Sequence, residues 1–444
     1  MKKGKRTLLF APILAFCILL CSCDLSLTKG ENLTVAPSLF KDQQSIMKAL
    51  SSSVNENIVL EYPRTGENRS AFLLCDLDSD SQNEAVAFYK SASAAVGADT
   101  VHINILDKNE KGQWVSLCDS VGQAASIDRV GVGTFMGHTE IIIGWELIKD
   151  RQKTLVCYSL SGKNLIREYT AEYVEFAVSD FYSQNEGSEL ITLNYEPTQE
   201  NAAIPQRQAR LIVKSEIGFE VKSTALLDSR VTGYKNCTAG KYDSESIGYF
   251  IDGQIDTTQA TTQILTVSKN GELLNPLLKD DLKTADDNLH KIGLVSQDFD
   301  GDSILEVPYQ ETVTGYEGVP ESEKIYKTVF KHLENGELVK SAVVYMNSAL
   351  SLQIAVPNEL DGNVTIKPNM AQNEIVFYEF DTSLENSTKP LFSVKSVKKE
   401  LYEKTEGYDV LISNDYITVS VKLFDSENEL CPSWQTLYEI INIL

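Results

Sequence analysis

SAFLLCDLDSDSQNEAVAFY (70–89) reads as two short apolar strands joined by an acidic turn. A third apolar run, VHINIL (101–106), follows across a polar loop, and Gly112 leads into a fourth, WVSLC (114–118). Runs of this length, bounded by turn residues, are strands rather than helices. The same four-part unit recurs from about residue 70 to 346. Its first part is repeated as IDRVGVG (127–133), VEFAVSD (174–180), YKNCTAG (234–240) and HKIGLVS (290–296). Its second part opens on an acidic residue or Gly and runs apolar: EIIIGW (140–145), ELITLN (189–194), GYFID (248–252) and LEVPY (305–309). A polar loop, an alternating strand, a turn glycine and a fourth strand complete each unit.

The turn glycines Gly112, Gly162, Gly218, Gly271 and Gly336 are 50, 56, 53 and 65 residues apart. Asn270-Gly271 and Asn335-Gly336 are strong hairpin signals. Twenty short strands in five groups of four predict a mainly β chain, a five-bladed β-propeller with four-stranded blades at 70–346. Each blade is too small to bury both faces, so neighbours must stack. Before it, 39–69 reads as a helix, with Phe40, Ile46, Met47 and Leu50 on one side, and a lead-in strand. After it, 347–444 reads as a small α+β domain with six strands and helices at 398–405 and 433–444.

The N-terminus reads as an address. Residues 1–6 are basic, and LLFAPILAFCILL (8–20) has the length of a signal core rather than of a membrane span. Leu20-Cys21-Ser22-Cys23 resembles a bacterial lipobox. Cleavage would remove 1–22 and leave Cys23 as a diacylglyceryl-bearing first residue. More than one acyl chain holds a protein stably on a membrane. Residues 23–38 then form a polar tether, and the body sits on the extracytoplasmic face of the cell membrane.

Four of the 40 basic residues lie in that leader, so the body carries 36 against 63 acidic ones. So acidic a surface argues against nucleic acid, whose phosphates need Lys and Arg. Five cysteines remain beyond the anchor: Cys75, Cys118, Cys157, Cys237 and Cys431. They are odd in number and set in apolar runs, and so are expected as core thiols with at most one bridge among them.

Two of the acidic turns are richer than the rest. Asp76, Asp78, Asp80 and Glu84 fall at positions 1, 3, 5 and 9 of one turn. Asp298, Asp300, Asp302 and Glu306 do so in the other. Alternate carboxylates on a tight turn converge on one point and make the oxygen cage that Ca²⁺ prefers. The bidentate position-12 acid of a helix-loop-helix site is absent, with Ala87 or Tyr309 in its place. The same acids could instead cap the turn by accepting backbone N–H groups.

DLDSDSQNEAVAF (76–88) and DFDGDSILEVP (298–308) resemble the FG-GAP/VCBS type of propeller repeat, whose signature is an Asp-x-Asp-Gly-Asp loop between the first two strands of a blade. The chain as a whole is similar to surface lipoproteins of Gram-positive anaerobes that carry such repeats. The resemblance covers about 70–346 and is good in the first and last units. It implies structural Ca²⁺ at the two intact turns. Ser79 stands where the motif has Gly.

The sequence holds no HExxH, no GxSxG elbow, no SxxK and no Walker A loop. His138 is expected on the surface, and Trp114 and Trp145 in blade packing. The loops at 90–100, 195–207, 253–262 and 310–325 fall at one place in each unit and vary most. Such length variation marks the face where a repeat scaffold binds. The expected function is therefore non-enzymatic: a membrane-anchored binding or scaffold module for a protein, peptide or glycan. The alternatives are a glycan-active enzyme with a rim carboxylate pair and the solute receptor of a transporter.

Overall fold

The computed structural model describes residues 41–54, 57–92, 100–147, 153–182, 187–195 and 207–444. Cys23 and the tether lie outside these, as do most of the loops at 90–100 and 195–207. The chain is 53% strand and 9% helix, and its sheets are antiparallel. Among the described residues no helix is long and apolar enough to cross a membrane. Helix α1 (Lys41–Ser53) buries Ile46 and Leu50, one turn apart, where a helix was expected. The chain divides into two units between Lys48 and Ala49, and every sheet belongs to the second.

Sheet one holds β1 (Ile58–Leu60), β2 (Phe72–Cys75), β3 (Glu84–Ser91), β4 (His102–Lys108) and β5 (Trp114–Val121). β1 and β2 lie end to end along one edge of β3. Sheet two runs in chain order through β6 (Ile127–Phe135), β7 (His138–Glu146), β8 (Lys153–Ser161) and β9 (Asn164–Tyr173). Sheet three repeats that order with β10 (Glu175–Ser179), β11 (Glu189–Tyr195), β12 (Arg207–Ser215) and β13 (Gly218–Leu226). Sheet four holds β14 (Gly233–Lys241), β15 (Ile247–Gln254), β16 (Gln259–Val267), the two-residue β17 (Leu273–Leu274) and β18 (Leu289–Lys291).

Sheet five begins with β19 (Val307–Thr312), β20 (Tyr326–Glu334), β21 (Glu337–Asn347) and β22 (Leu352–Ala355). Sheet six holds β23 (Val364–Asn369), β24 (Glu374–Glu379), β25 (Pro390–Lys398), β26 (Asp409–Ser413) and β27 (Ile417–Leu423). Helix α2 (Trp434–Ile440) then leads to β28 (Ile441–Ile443), which returns to pair with β22 and completes sheet five.

The alternation of apolar residues explains the cores. One cluster joins Val86, Phe88, Ile103, Ile141, Ile143 and Trp145 across sheets one and two. Another joins Ile191, Leu211, Tyr249 and Ile251 across sheets three and four. The first strands β6, β10 and β14 are neighbours in that order. Their close approach depends on Gly133, where a Cβ would lie 2.5 Å from Val178 Cγ1 and 2.8 Å from Phe135 Cε2.

The fifth group departs from the four-part plan. The segment expected as its first strand forms β18 and pairs with β16 of sheet four. Only an isolated bridge, Gln297 to Glu306, remains ahead of β19. The expected boundary at 346/347 falls at the β21–β22 hairpin. One core, from Val329 and Tyr345 through Leu352 and Phe392 to Leu437, runs across it.

Both C-terminal helices are shorter than expected. β25 continues to Lys398, opposite Ile417, and leaves a single 3₁₀ turn at Lys399–Leu401. α2 starts on its Ser433 cap, whose Oγ accepts the Thr436 N–H at 3.1 Å, and stops where the β-branched Ile441 pairs with Ile354. The five cysteines Cys75, Cys118, Cys157, Cys237 and Cys431 are all free thiols.

The substitution Gly133→Ala is expected to cost about 1–3 kcal/mol by overpacking the β6–β10 contact. Denaturant melts check it; an unchanged midpoint would show that β10 is not held against β6.

Candidate cation-binding turns

The two acidic turns fold alike. In the first, Asp76 Oδ1 accepts the Asp80 N–H at 3.2 Å and Oδ2 accepts that of Ser81 at 3.0 Å. Asp78 Oδ1 accepts from Asp80 N at 3.2 Å, and Asp80 Oδ1 from Gln82 N at 2.7 Å. In the second, Asp298 accepts from Gly301 N at 2.7 Å and Ser303 N at 3.0 Å. Asp300 accepts from Asp302 N at 3.2 Å, and Asp302 from Ile304 N at 2.7 Å. The position-1, -3 and -5 acids thus take up the N–H groups that a tight turn leaves without strand partners.

Both turns pass through the left-handed region at their fourth residue. Ser79 has φ 65° where Gly301 has φ 83°. Serine therefore adopts the glycine-like conformation, at a cost on the order of 1–2 kcal/mol.

The glutamate at position 9 has a different task. Glu84 is wholly buried, and its Oε2 accepts Leu77 N–H at 2.6 Å and Asp78 N–H at 3.3 Å. Glu306 does the same for Phe299 N–H at 2.7 Å. Glu189, in sheet three, accepts Phe181 and Tyr182 N–H, both at 2.9 Å. In sheet two the turn is a two-residue hairpin, and the buried Glu140 pairs with Lys214 from sheet three. Sequence reading groups Glu84 and Glu306 with the ligand acids. The structure shows that each also staples its own turn, as Glu189 does in sheet three. The signal was the acid recurring at the head of the second strand.

Carboxylate oxygens of Asp76, Asp78 and Glu84 lie within 4.8 Å of one another, and so do those of Asp298, Asp300 and Asp302. Asp80 and Glu306 stand outside these groups. In the first turn Glu84 keeps one oxygen, Oε1, that is buried and has no hydrogen-bond partner. An orphan carboxylate oxygen beside two more carboxylates is the donor set that a hard cation such as Ca²⁺ fits. The three second-turn aspartates are exposed, and Glu306 is turned to the backbone.

Burial, opposed by the N–H bonds and reinforced by the neighbouring aspartates, pushes Glu84 and Glu306 up to about 7. Burial first, then Glu84 and Asp76, pushes the adjoining Cys75 thiol up to about 12 and leaves it unreactive.

Elsewhere, His138 is exposed on its hairpin, and Trp145 is fully buried while Trp114 is partly so, with Lys108 4.8 Å over its ring. Of the four variable loops, those at 253–262 and 310–325 are described, and they border one cleft.

No family model matches the chain, and no curated protein does. Among solved structures it is similar to an exotype rhamnogalacturonan lyase, YesX, at 11% identity and a TM-score of 0.31, over 73% of this chain and 75% of that one. So slight a likeness carries neither fold nor function.

A carboxyl whose pKa is raised on folding destabilises the fold as it ionises. In chelated protein, stability is therefore expected to fall as pH rises from about 4.5 through about 7. Glu84→Gln keeps an acceptor and removes the charge, so it should flatten that fall. Thermal melts in EDTA at pH 5 and pH 8 check it, and a slope equal to the parent's would show that Glu84 is ionised throughout.

Proposed function

We propose that this chain is a lipid-anchored, extracytoplasmic binding module without catalytic activity, built as a five-bladed β-propeller continued by a small α+β unit at 347–444. The observation that carries the reading is the succession of antiparallel meanders in which the first strand of one sheet packs on the first strand of the next, from β6 to β10 to β14. Stacked meanders with one variable loop each make a rigid scaffold that presents loops on one rim, the arrangement by which repeat proteins bind. Cys23 carries the lipid, and 23–38 sets the body away from the membrane. The turns at 76–84 and 298–306 hold structural Ca²⁺, with Asp76, Asp78 and Glu84 the better-formed set. The partner is an extracytoplasmic protein, peptide or glycan.

Crosslinking of the full lipidated protein on intact cells tests the reading. A stoichiometric partner or glycan is the expected result. Glycan turnover that disappears when one rim carboxylate is replaced would make it an enzyme instead.

The anchor and the metal are tested separately. Cys23→Ser should move the protein from the membrane to the soluble fraction, and an unchanged distribution would remove the anchor from the proposal. Millimolar Ca²⁺ should raise the Tm of EDTA-treated protein, and Asp76→Asn with Asp78→Asn should remove most of the rise. A Tm indifferent to Ca²⁺ would reduce these acids to turn caps.

A further inference from the structure

A cleft of about 280 Å³ opens between sheets four and five. Two variable loops border it: Thr258 ends the β15–β16 connection and Gln259 opens β16, while Gln310 stands on β19 and Glu321 in the β19–β20 connection. Its wall is β18. The register that sets Lys291 opposite Gln259 sets His290 opposite Ala260. His290 is held on the buried side, its Nε2 3.2 Å from Thr262 Oγ1. Thr262 in turn donates to Asp252 Oδ1 at 2.6 Å. Asp252 also accepts the Ser296 N–H and hydroxyl, at 2.9 and 2.8 Å. This chain of bonds fixes β18, and with it one side of the cleft, before any ligand arrives.

The chemistry of the lining is narrow. Its apolar surface comes from Leu289 and the Tyr326 ring, set among six polar side chains. Of its two charges, Glu321 accepts from Lys324 at 2.9 Å and from the Tyr326 hydroxyl, while Lys291 Nζ lies 4.6 Å from the centre of the Tyr326 ring. Together they leave the cleft formally neutral in a chain of net charge −23. The open capacity belongs to the side-chain amides of Gln259 and Gln310, which make no hydrogen bond among the described residues. Each amide offers two donors and an acceptor with two lone pairs. A hydroxyl is donor and acceptor at once and matches an amide on both counts.

At about 280 Å³ the cleft has room for a single sugar ring. We propose that this cleft binds one neutral, hydroxyl-rich sugar ring of a larger glycan. The inference rests on the binding-module reading and narrows it to glycan.

The full chain and its Gln259→Ala/Gln310→Ala variant would be tested on an array of neutral and acidic oligosaccharides, with free glucose, galactose and N-acetylglucosamine as competitors. Gln259 is exposed and Gln310 half-buried, and neither side chain bonds to a described residue, so the variant should keep the parent's Tm. Retention of neutral oligosaccharides, competition by at least one free sugar and at least a tenfold loss in the variant are expected. Retention that the variant leaves unchanged would overturn the site. An array that retains only acidic oligosaccharides, or none, would overturn the ligand class. A stoichiometric protein partner crosslinked on cells would then leave the binding-module reading standing without this cleft.

Discussion

A buried carboxylate at the head of the second strand fixes the geometry of three of these sheets. Glu84, Glu189 and Glu306 each reach back about seven residues and accept N–H groups from the turn that delivered them. Without that acceptor the turn would bury unpaired donors, each worth about 1–3 kcal/mol. With it, the turn closes at one length and the first two strands meet in one register. A register error of one residue would put the carboxylate on the opposite face and the apolar run with it. Sheet two reaches the same end differently. Its hairpin has no spare N–H to offer, so Glu140 takes a lysine from the neighbouring sheet, and an internal staple becomes an inter-sheet one.

That difference bears on how the sheets recognise each other. Around β6 and β10, Arg129 pairs with Glu175, and Lys153 with Asp128 at 3.0 Å, while the Tyr173 hydroxyl donates to Asp128 at 2.7 Å. Buried pairs of this kind add little net stability, because desolvation offsets most of the attraction. They do penalise wrong partners, since a sheet docked out of order would leave a charge buried alone. The glycines of β6 add a steric condition. Only a strand with hydrogen in place of Cβ at Gly133 lets Val178 approach. Charge and shape together specify which sheet follows which, in a chain whose sheets are otherwise built alike.

What the sequence makes legible is local. Strand runs, hairpin glycines and acidic turns all depend on residues within about twenty positions of each other. The positions of β3, β7, β11 and β15 and the turns at Gly271 and Gly336 therefore follow from alternation and from the need for positive φ. The misreadings are all non-local. HKIGLVS has the look of a first strand, yet His290 finds its polar partners on β16 and β15, and this draws the segment into sheet four. SWQTLYEIINIL has a helical start, but Ile441 and Ile443 find strand partners in Ile354 and Leu352, about ninety residues earlier. KKELYEKT is polar enough for a surface helix, yet Lys398 is needed to finish a ladder with Ile417. The glutamates illustrate a second limit. A carboxylate in an Asp-rich turn looks like a ligand from its spacing, and only its burial and its N–H partners show that it also serves as a structural acceptor.

The two ends of each second strand consequently live under different constraints. At the leading end stand the staple and the acidic turn, where length and register cannot change without orphaning a buried carboxylate. At the trailing end the loop returns to the third strand through solvent, and lengthening such a loop costs only a few tenths of a kcal/mol in closure entropy. Sequence can drift at the second end because the first holds the sheet. In sheet five the two lie only four residues apart: Glu306 is buried on Phe299, and Gln310 opens onto the cleft beside β18. The rigidity of one end is what lets the other carry free amides in a fixed place, a polar surface that no fold requirement explains.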